Sequence, residues 1–163
     1  MSVRIKFAHL AAALMLSAVV VPYGGALAAD AAVLPETRVV SIGKPFDALV
    51  SHLEQAIKDN KMVLVAQASA SRGAASRGVK IPGNIVLMVF RNDYAVRMLE
   101  ANVEAGIEAP LRIYVTEEAD GSTRVSYPLP SAVFRPYGDA RIDAMAQELD
   151  PIFERIVRDA TEK

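Results

Sequence analysis

The sequence predicts an α+β fold in two layers, with about five strands in a mixed or antiparallel sheet and three or four helices packed on it. Three observations lead to this prediction. Short runs rich in branched residues are bounded by turn residues, apolar residues elsewhere recur at offsets of three and four, and two runs alternate with period two around an Asp-Gly turn. Strands are predicted near Val39, Val63, Val86, Ile113 and Val125, and helices at Phe46, Ala95 and Ile142.

The stretch from Ile81 to Leu99, IPGNIVLMVFRNDYAVRML, is predicted to be the centre of the fold. Six consecutive apolar residues follow a Pro-Gly-Asn turn, and such a run favours a strand that is buried on both faces. After this strand, Asn92 or Asp93 is expected to cap a helix through its side-chain oxygen. Gly106 is expected to end that helix in the left-handed conformation.

The N-terminal residues have the pattern of a secretory signal peptide. Arg4 and Lys6 precede an apolar run from Leu10 to Val21, and small residues follow it. We therefore expect a signal peptide over residues 1–28, with cleavage after Ala28 or Ala29. The apolar run is shorter than the about 20 residues that a membrane helix needs. The exported chain is thus expected to be periplasmic or secreted and to have no membrane span.

Cleavage is expected to leave a linker over residues 29–36 and a single α+β domain over residues 37–163, which is within the usual size of one domain. The cleaved chain has sixteen basic and nineteen acidic residues, so its net charge is about −3, compared with −1 for the whole sequence. This acidic balance disfavours nucleic-acid binding.

The composition excludes several chemistries. Cysteine is absent, which excludes thiol nucleophiles, iron–sulfur clusters and Cys-ligated zinc. After cleavage His52 is the only histidine, so a site built from two imidazoles is excluded and no cofactor is expected. His52 is either a general base working with a carboxylate or a half-exposed residue beside the apolar face of its helix. The second interpretation is favoured because no motif places an acid or a nucleophile near it.

The segment from Ser69 to Lys80 has the sequence SASRGAASRGVK. It contains a short internal repeat and three basic residues, and it contains no acidic residue. One interpretation is an anion-binding loop, in which Arg72 and Arg77 grip a phosphate or carboxylate. The other is a solvated connector, with or without one helical turn. The connector is favoured because the spacing of a phosphate-binding loop is missing.

A hairpin and a helix are predicted in the C-terminal half. Residues 110–116 alternate with period two, Asp120-Gly121 favours a tight turn and residues 123–127 form the return strand. A helical segment over residues 139–161 carries an apolar stripe. Pro151 interrupts this segment, so a kink or two helices sharing one face are expected.

With these elements in place, the order of features from Phe46 to Tyr127 resembles the bacterial domain-of-unknown-function 302 (DUF302) family. The matching stretches are FDALVSHLEQAI, VLMVFRNDYA and APLRIYVTEEADGSTRVSY, within a family-like core of residues 46–130. The resemblance implies a two-layer α+β domain that is often dimeric, and it implies no established activity.

The resemblance also implies site residues, because Asn92, Arg112, Glu117 and Tyr127 match the family's asparagine, strand arginine, acidic residue and tyrosine. The chain departs from the family pattern in three places. These are Arg91, where many members have glycine, Asp93, where they have proline, and Ser69-Ala70, where many carry an Asp-His pair.

The sequence thus favours a non-catalytic periplasmic module that binds a small anionic ligand or an envelope protein and forms a homodimer. One alternative is a small hydrolase or isomerase that uses His52 and a carboxylate. Another is a structural envelope assembly protein whose stripe from Ile142 to Ala160 binds another chain. The candidate ligand-binding residues are Asn92, Arg112, Glu117, Tyr127, Arg72 and Arg77.

Overall fold

A computed structural model describes residues 35–162 of the chain. The predicted signal peptide and most of the predicted linker lie outside the described residues. Within residues 35–162, none of the helices combines the length and the apolar character needed to cross a membrane.

The described residues contain five strands, five α-helices and two 3-10 segments. The strands are β1 (Thr37–Ile42), β2 (Val63–Ala68), β3 (Asn84–Phe90), β4 (Leu111–Glu117) and β5 (Thr123–Pro128). The α-helices are α1 (Phe46–Asp59), α2 (Ala70–Ala75), α3 (Asn92–Ala101), α4 (Pro130–Phe134) and α5 (Ala140–Glu162). Two 3-10 segments cover Val103–Glu108 and Arg135–Tyr137.

The five strands form one antiparallel sheet in the order β1-β5-β4-β3-β2. One face of the sheet packs against helices, chiefly α1 and α5, and the core between the layers includes Leu53, Ile113, Ile142 and Phe153, all fully buried. The predicted two-layer α+β fold is confirmed.

Helix α1 follows from its sequence. Pro45 lies at the N-cap, one position before the helix rather than inside it, and its carbonyl accepts the first intrahelical hydrogen bond. The apolar residues at offsets of three and four are buried, and they face the core. At the C-terminal end, the Asn60 amide donates both to the Ala56 carbonyl and to Asp159 Oδ2, which ties α1 to α5.

Strand β3 lies inside the sheet, between the edge strand β2 and the middle strand β4. The prediction that both of its faces are buried is wrong. Burial alternates along the strand, with Ile85, Leu87 and Val89 buried and the intervening residues half-buried. The physical reason is that helices cover only one face of this sheet.

The expected ends of α3 are also wrong. Arg91 is the N-cap residue, no side chain caps the helix, and Asp93 lies in the first turn. The Asp93 carboxylate instead accepts a hydrogen bond from Arg91 Nε at 2.8 Å, which lowers its pKa. At the other end, Gly106 lies in a 3-10 segment, and it is not among the left-handed residues.

The sequence predicted a kink or two helices at Pro151. Helix α5 continues through Pro151 as one element, so the alternative of two helices is wrong. Just before this proline, Asp150 Oδ1 accepts a hydrogen bond from Ser131 N in α4 at 2.9 Å. The apolar stripe from Ile142 to Ala160 is buried inside this domain. The stripe is therefore no exposed surface for another chain.

Candidate functional site

The structure distributes the six predicted site residues over different parts of the domain. Arg72 on α2 and Glu117 at the end of β4 line the same groove. The other four lie elsewhere: Arg77 in the loop after α2, Asn92 at the start of α3, Arg112 on the sheet face without helices, and Tyr127 in the core. Arg112 and Glu117 are five residues apart on one strand, or about 17 Å, and point to opposite faces. The six residues therefore do not form one site.

The groove that contains Arg72 and Glu117 has a volume of about 390 Å³. Its walls are the N-terminus of α1, helix α2, the turn before β3 and the end of β4. Its lining is partly apolar, from Phe46 and Ile81, and partly polar, from Asp47, Arg72 and Glu117. This groove is the candidate functional site.

Hydrogen bonds hold the groove wall in place. Glu117 Oε2 accepts from Gly83 N at 2.8 Å, while Glu117 N donates to the Gly83 carbonyl at 2.8 Å. Ser71 Oγ accepts from Asn84 N at 3.1 Å and donates to the Asn84 carbonyl at 3.3 Å. Helix α2 and the end of β4 are therefore both tied to the start of β3.

Glycine is required at position 83 because an aromatic ring lies against the backbone there. A Cβ at Gly83 would lie 2.8 Å from the Phe46 ring, which is closer than such contacts allow. The ring thus packs directly on the main chain beside the polar wall. In the sequence, the Pro-Gly-Asn motif predicted a turn at this point but not the contact with the Phe46 ring.

Donors for an anion are present on two sides of the groove. Pro45 offers no capping side chain, so the first-turn N–H groups of α1 lack a side-chain partner. Arg72 Nη1 donates to Gln67 Oε1 at 3.3 Å, and Arg72 forms no ion pair within residues 35–162. Both groups favour negative charge. Asp47 and Glu117 add two acceptors, so the groove offers groups of both signs.

Among the described residues, no hydrogen-bond partner of Nδ1 orients His52 as a base. It is half-buried on α1, and its Nδ1 is buried without a hydrogen-bond partner among the described residues. A general base of this kind needs an acid or nucleophile within about 3 Å. Within residues 35–162 there is also no cluster of three His, Asp or Glu side chains with the geometry of a metal site.

Tyr127 is part of the core. Its side chain is 3% exposed, and its ring centroid lies 5.9 Å from that of Phe153 on α5. Burial is the main cause that raises the pKa of Tyr127. Period two along β5 places Tyr127 on the same face as Val125, which is a signal for burial that the sequence already contains.

One charged cluster was missed by sequence reasoning. Arg97 on α3 makes two hydrogen bonds of 2.8 Å to the Glu148 carboxylate on α5, and Arg91 and Arg97 lie over the Tyr94 ring at 4.1 and 5.4 Å. The bidentate pair lowers the pKa of Glu148. The two partners are far apart in sequence, so no local pattern could reveal them. The cluster links α3 to α5 at the surface.

The sequence was also compared with known families and proteins. The model of the family described as "Domain of unknown function DUF302" matches residues 37–160, which is nearly the whole described domain. The chain belongs to the DUF302 family. No curated protein matches this DUF302 chain.

A solved structure agrees with the fold. The crystal structure of an uncharacterized conserved DUF302 protein from Bacillus stearothermophilus matches with a TM-score of 0.68 and 18% sequence identity. The match covers 76% of this chain and 97% of that chain. At this identity the likeness shows the fold of the DUF302 domain alone.

Proposed function

We propose that this DUF302 protein is an exported, non-catalytic binding module that takes a small anionic ligand in the groove between α1, α2 and β4. The observation that carries the proposal is that Arg72, which has no ion pair among the described residues, lines the same groove as the uncapped N-terminus of α1. A guanidinium and free N–H groups together favour a carboxylate or a phosphate.

The rest of the groove narrows the ligand class. A volume of about 390 Å³ falls within the range of small-molecule sites. The Phe46 ring offers an apolar surface, and Asp47 and Glu117 accept hydrogen bonds. The ligand is therefore a small acid that also carries a donor, such as an amino or hydroxyl group.

The polar groups of the groove support binding rather than catalysis. Ser71 Oγ is engaged with the Asn84 main chain and with Ser69 Oγ at 3.0 Å, and Glu117 is engaged with Gly83. A nucleophile needs an adjacent base, and Ser71 has none among these contacts. The hydrolase alternative also lacks an acid partner for His52 Nδ1.

Two matched arginine variants test the proposal. Inorganic phosphate and a panel of small amino and hydroxy acids are titrated into the protein, with binding followed by calorimetry and by amide NMR shifts. The expected result is binding that moves the Phe46 and Gly83 resonances. Arg72→Ala should weaken it about 10- to 100-fold, because a charge-assisted hydrogen bond contributes about 1.5–3 kcal/mol. Arg77→Ala, five residues further along the chain in the loop after α2 and outside the groove, should leave it unchanged.

Two results would contradict the groove assignment. One is the absence of binding by every probe at millimolar concentration. The other is an equal loss of affinity in both arginine variants, because that would indicate a general charge effect of the loop rather than a site.

Export is proposed from the basic leader, the apolar run and the small residues after it. The protein expressed with its own leader should appear in the periplasmic fraction. Its intact mass should correspond to a chain that begins at Ala29 or Asp30. A full-length mass in the cytoplasmic fraction would refute export.

A further inference from the structure

A second cavity lies at the opposite end of β3 from the groove. The groove includes Gly83, just before the strand begins, whereas this cavity includes Phe90, where the strand ends. The seven residues of β3 place the two about 20 Å apart. The cavity lies between the sheet, α3 and α5, and we call it the α3 cavity. No residue lines both, so the α3 cavity is a separate feature of the domain.

Three methionines from three parts of the chain line the α3 cavity. Met62 follows α1, Met98 lies on α3 and Met145 lies on α5, and each is at most 4% exposed. The fourth methionine of residues 35–162, Met88, lies on the sheet face without helices. Arg91 is the one charged residue of the lining. Methionine side chains adapt their shape and recur at surfaces that accept apolar ligands. The interior therefore suits a hydrocarbon group better than water.

The volume of the α3 cavity sets the size of that group. It is about 30 Å³, and one water-sized group needs about 10–15 Å³. The cavity therefore has room for two or three such groups, and a methylene is close to water in size. An aromatic ring is too large, because benzene fills an engineered cavity of about 150 Å³. The cavity thus matches a straight tail of two or three carbons.

Arg91 determines the other end of the ligand. Its side chain is 26% exposed, and Phe90 and Ala95 beside it are half-buried, so the cavity meets the surface here. Arg91 Nε donates to Asp93, but its two Nη groups make no hydrogen bond within residues 35–162. The guanidinium lies 4.1 Å from the centre of the Tyr94 ring, which holds it in place. Two free Nη groups favour a carboxylate.

We propose that the α3 cavity binds a short-chain aliphatic carboxylate. The tail of two or three carbons lies among the methionines, and the carboxylate lies on Arg91. Propionate and butyrate have tails of this length. The cavity is preformed, because the two 2.8 Å hydrogen bonds between Arg97 and Glu148 hold α3 against α5 beside it. The buried side chains of α3 are Tyr94 and Met98, and both line the cavity.

Methionine methyl NMR provides the first test. Acetate, propionate, butyrate and hexanoate are titrated into methyl-labelled protein at up to about 10 mM. Butyrate should shift the methyl signals of Met62, Met98 and Met145 and should leave that of Met88 unchanged. Affinity should rise about fourfold for each methylene from acetate to butyrate, because each is buried. It should not rise further with hexanoate, because the cavity is then full.

Two matched alanine variants test the cavity itself. Ala95 lies on α3 and lines the cavity, whereas Ala144 is exposed on α5 outside it. Leucine is a good helix former, so both variants should keep the far-UV circular dichroism of the unchanged protein. Ala95→Leu fills the space and should lower butyrate affinity at least about tenfold. Ala144→Leu should leave that affinity unchanged.

Charge provides the third test. Arg91→Gln should weaken butyrate binding about tenfold or more, because a charge-assisted hydrogen bond is lost. The control is Arg155→Gln, since Arg155 is exposed on α5 and outside the cavity. In the unchanged protein, the neutral butyramide should bind at least about tenfold more weakly than butyrate.

Three results would overturn the proposal. The first is that butyrate shifts none of the three cavity methyl signals. The second is that Ala95→Leu binds butyrate as tightly as Ala144→Leu does. The third is that Arg91→Gln and Arg155→Gln bind butyrate equally, because the carboxylate would then have no partner in Arg91.

Discussion

Truncation of Tyr127 would separate a structural role for this side chain from a ligand-binding one. The ring is 3% exposed and contacts Phe153 across the sheet–helix interface. Removing a buried aromatic side chain costs about 3–5 kcal/mol. A folded domain of this size has a total stability of roughly 6–19 kcal/mol, at about 0.05–0.15 kcal/mol per residue. Tyr127→Ala should therefore remove a large fraction of the free energy of unfolding.

Tyr127→Phe is the matched variant. The tyrosine hydroxyl makes no hydrogen bond within the described residues, so its loss should cost less than about 1 kcal/mol. Urea denaturation followed by circular dichroism, at one fixed protein concentration, measures both values. A double-mutant cycle with Phe153→Leu should give a coupling of about 0.5–1.5 kcal/mol.

Two outcomes would refute the reasoning on Tyr127. If Tyr127→Phe destabilises as much as Tyr127→Ala, the hydroxyl rather than the ring holds the core. If Tyr127→Phe keeps full stability but loses affinity for a ligand, the residue belongs to a site and not only to the core.

Three further predictions follow from individual contacts. NMR titration should place the pKa of Asp139 at about 2, because Arg141 holds its carboxylate, and Arg141→Ala should return this pKa towards 3.8. Since the pKa of Asp139 is lowered in the folded state, the stabilisation by the Asp139–Arg141 pair is present above about pH 4. It is lost as the pH falls towards 2. In urea denaturation, Gly121→Ala should lower the free energy of unfolding by about 1 kcal/mol or more, because φ at this glycine is +82°. Gly73→Ala should raise the free energy of unfolding by about 0.5–1 kcal/mol, because this glycine lies inside α2 with open space around it. Thr123→Val should cost about 1–3 kcal/mol, because the buried hydroxyl donates to a main-chain carbonyl at 2.7 Å, and a loss below 0.5 kcal/mol would contradict that role.

Local patterns were sufficient for most of the fold. The alternation in β4 and β5 follows directly from one buried face, and the Asp-Gly turn between them contains the expected left-handed Gly121. The apolar offsets of α1 and the branched residues of β1 were equally informative. These signals succeed because each depends only on residues close in the sequence and on the burial of one face of a strand or helix.

Long-range contacts explain what sequence reasoning missed. The apolar run in β3 indicated burial on both faces, because its outward residues are as apolar as its inward ones. Pro151 indicated a kink or two helices, but packing of the surrounding stripe maintains one helix. The groove is formed by the ends of α1, α2 and β4, and no spacing in the sequence shows that Arg72 and Glu117 both line it. Only the three-dimensional arrangement identifies that pair.

The pairing of β1 with β5 has a consequence for the order of folding. Within residues 35–162, β1 lies at the edge of the sheet, and it pairs with β5, the last strand of this range. A ladder between such distant segments must close a long loop, and contacts of this kind form slowly. During synthesis, β1 has no partner strand in the described sheet until residues around 128 have emerged. This connectivity delays completion of the sheet for most of the time in which the domain is made.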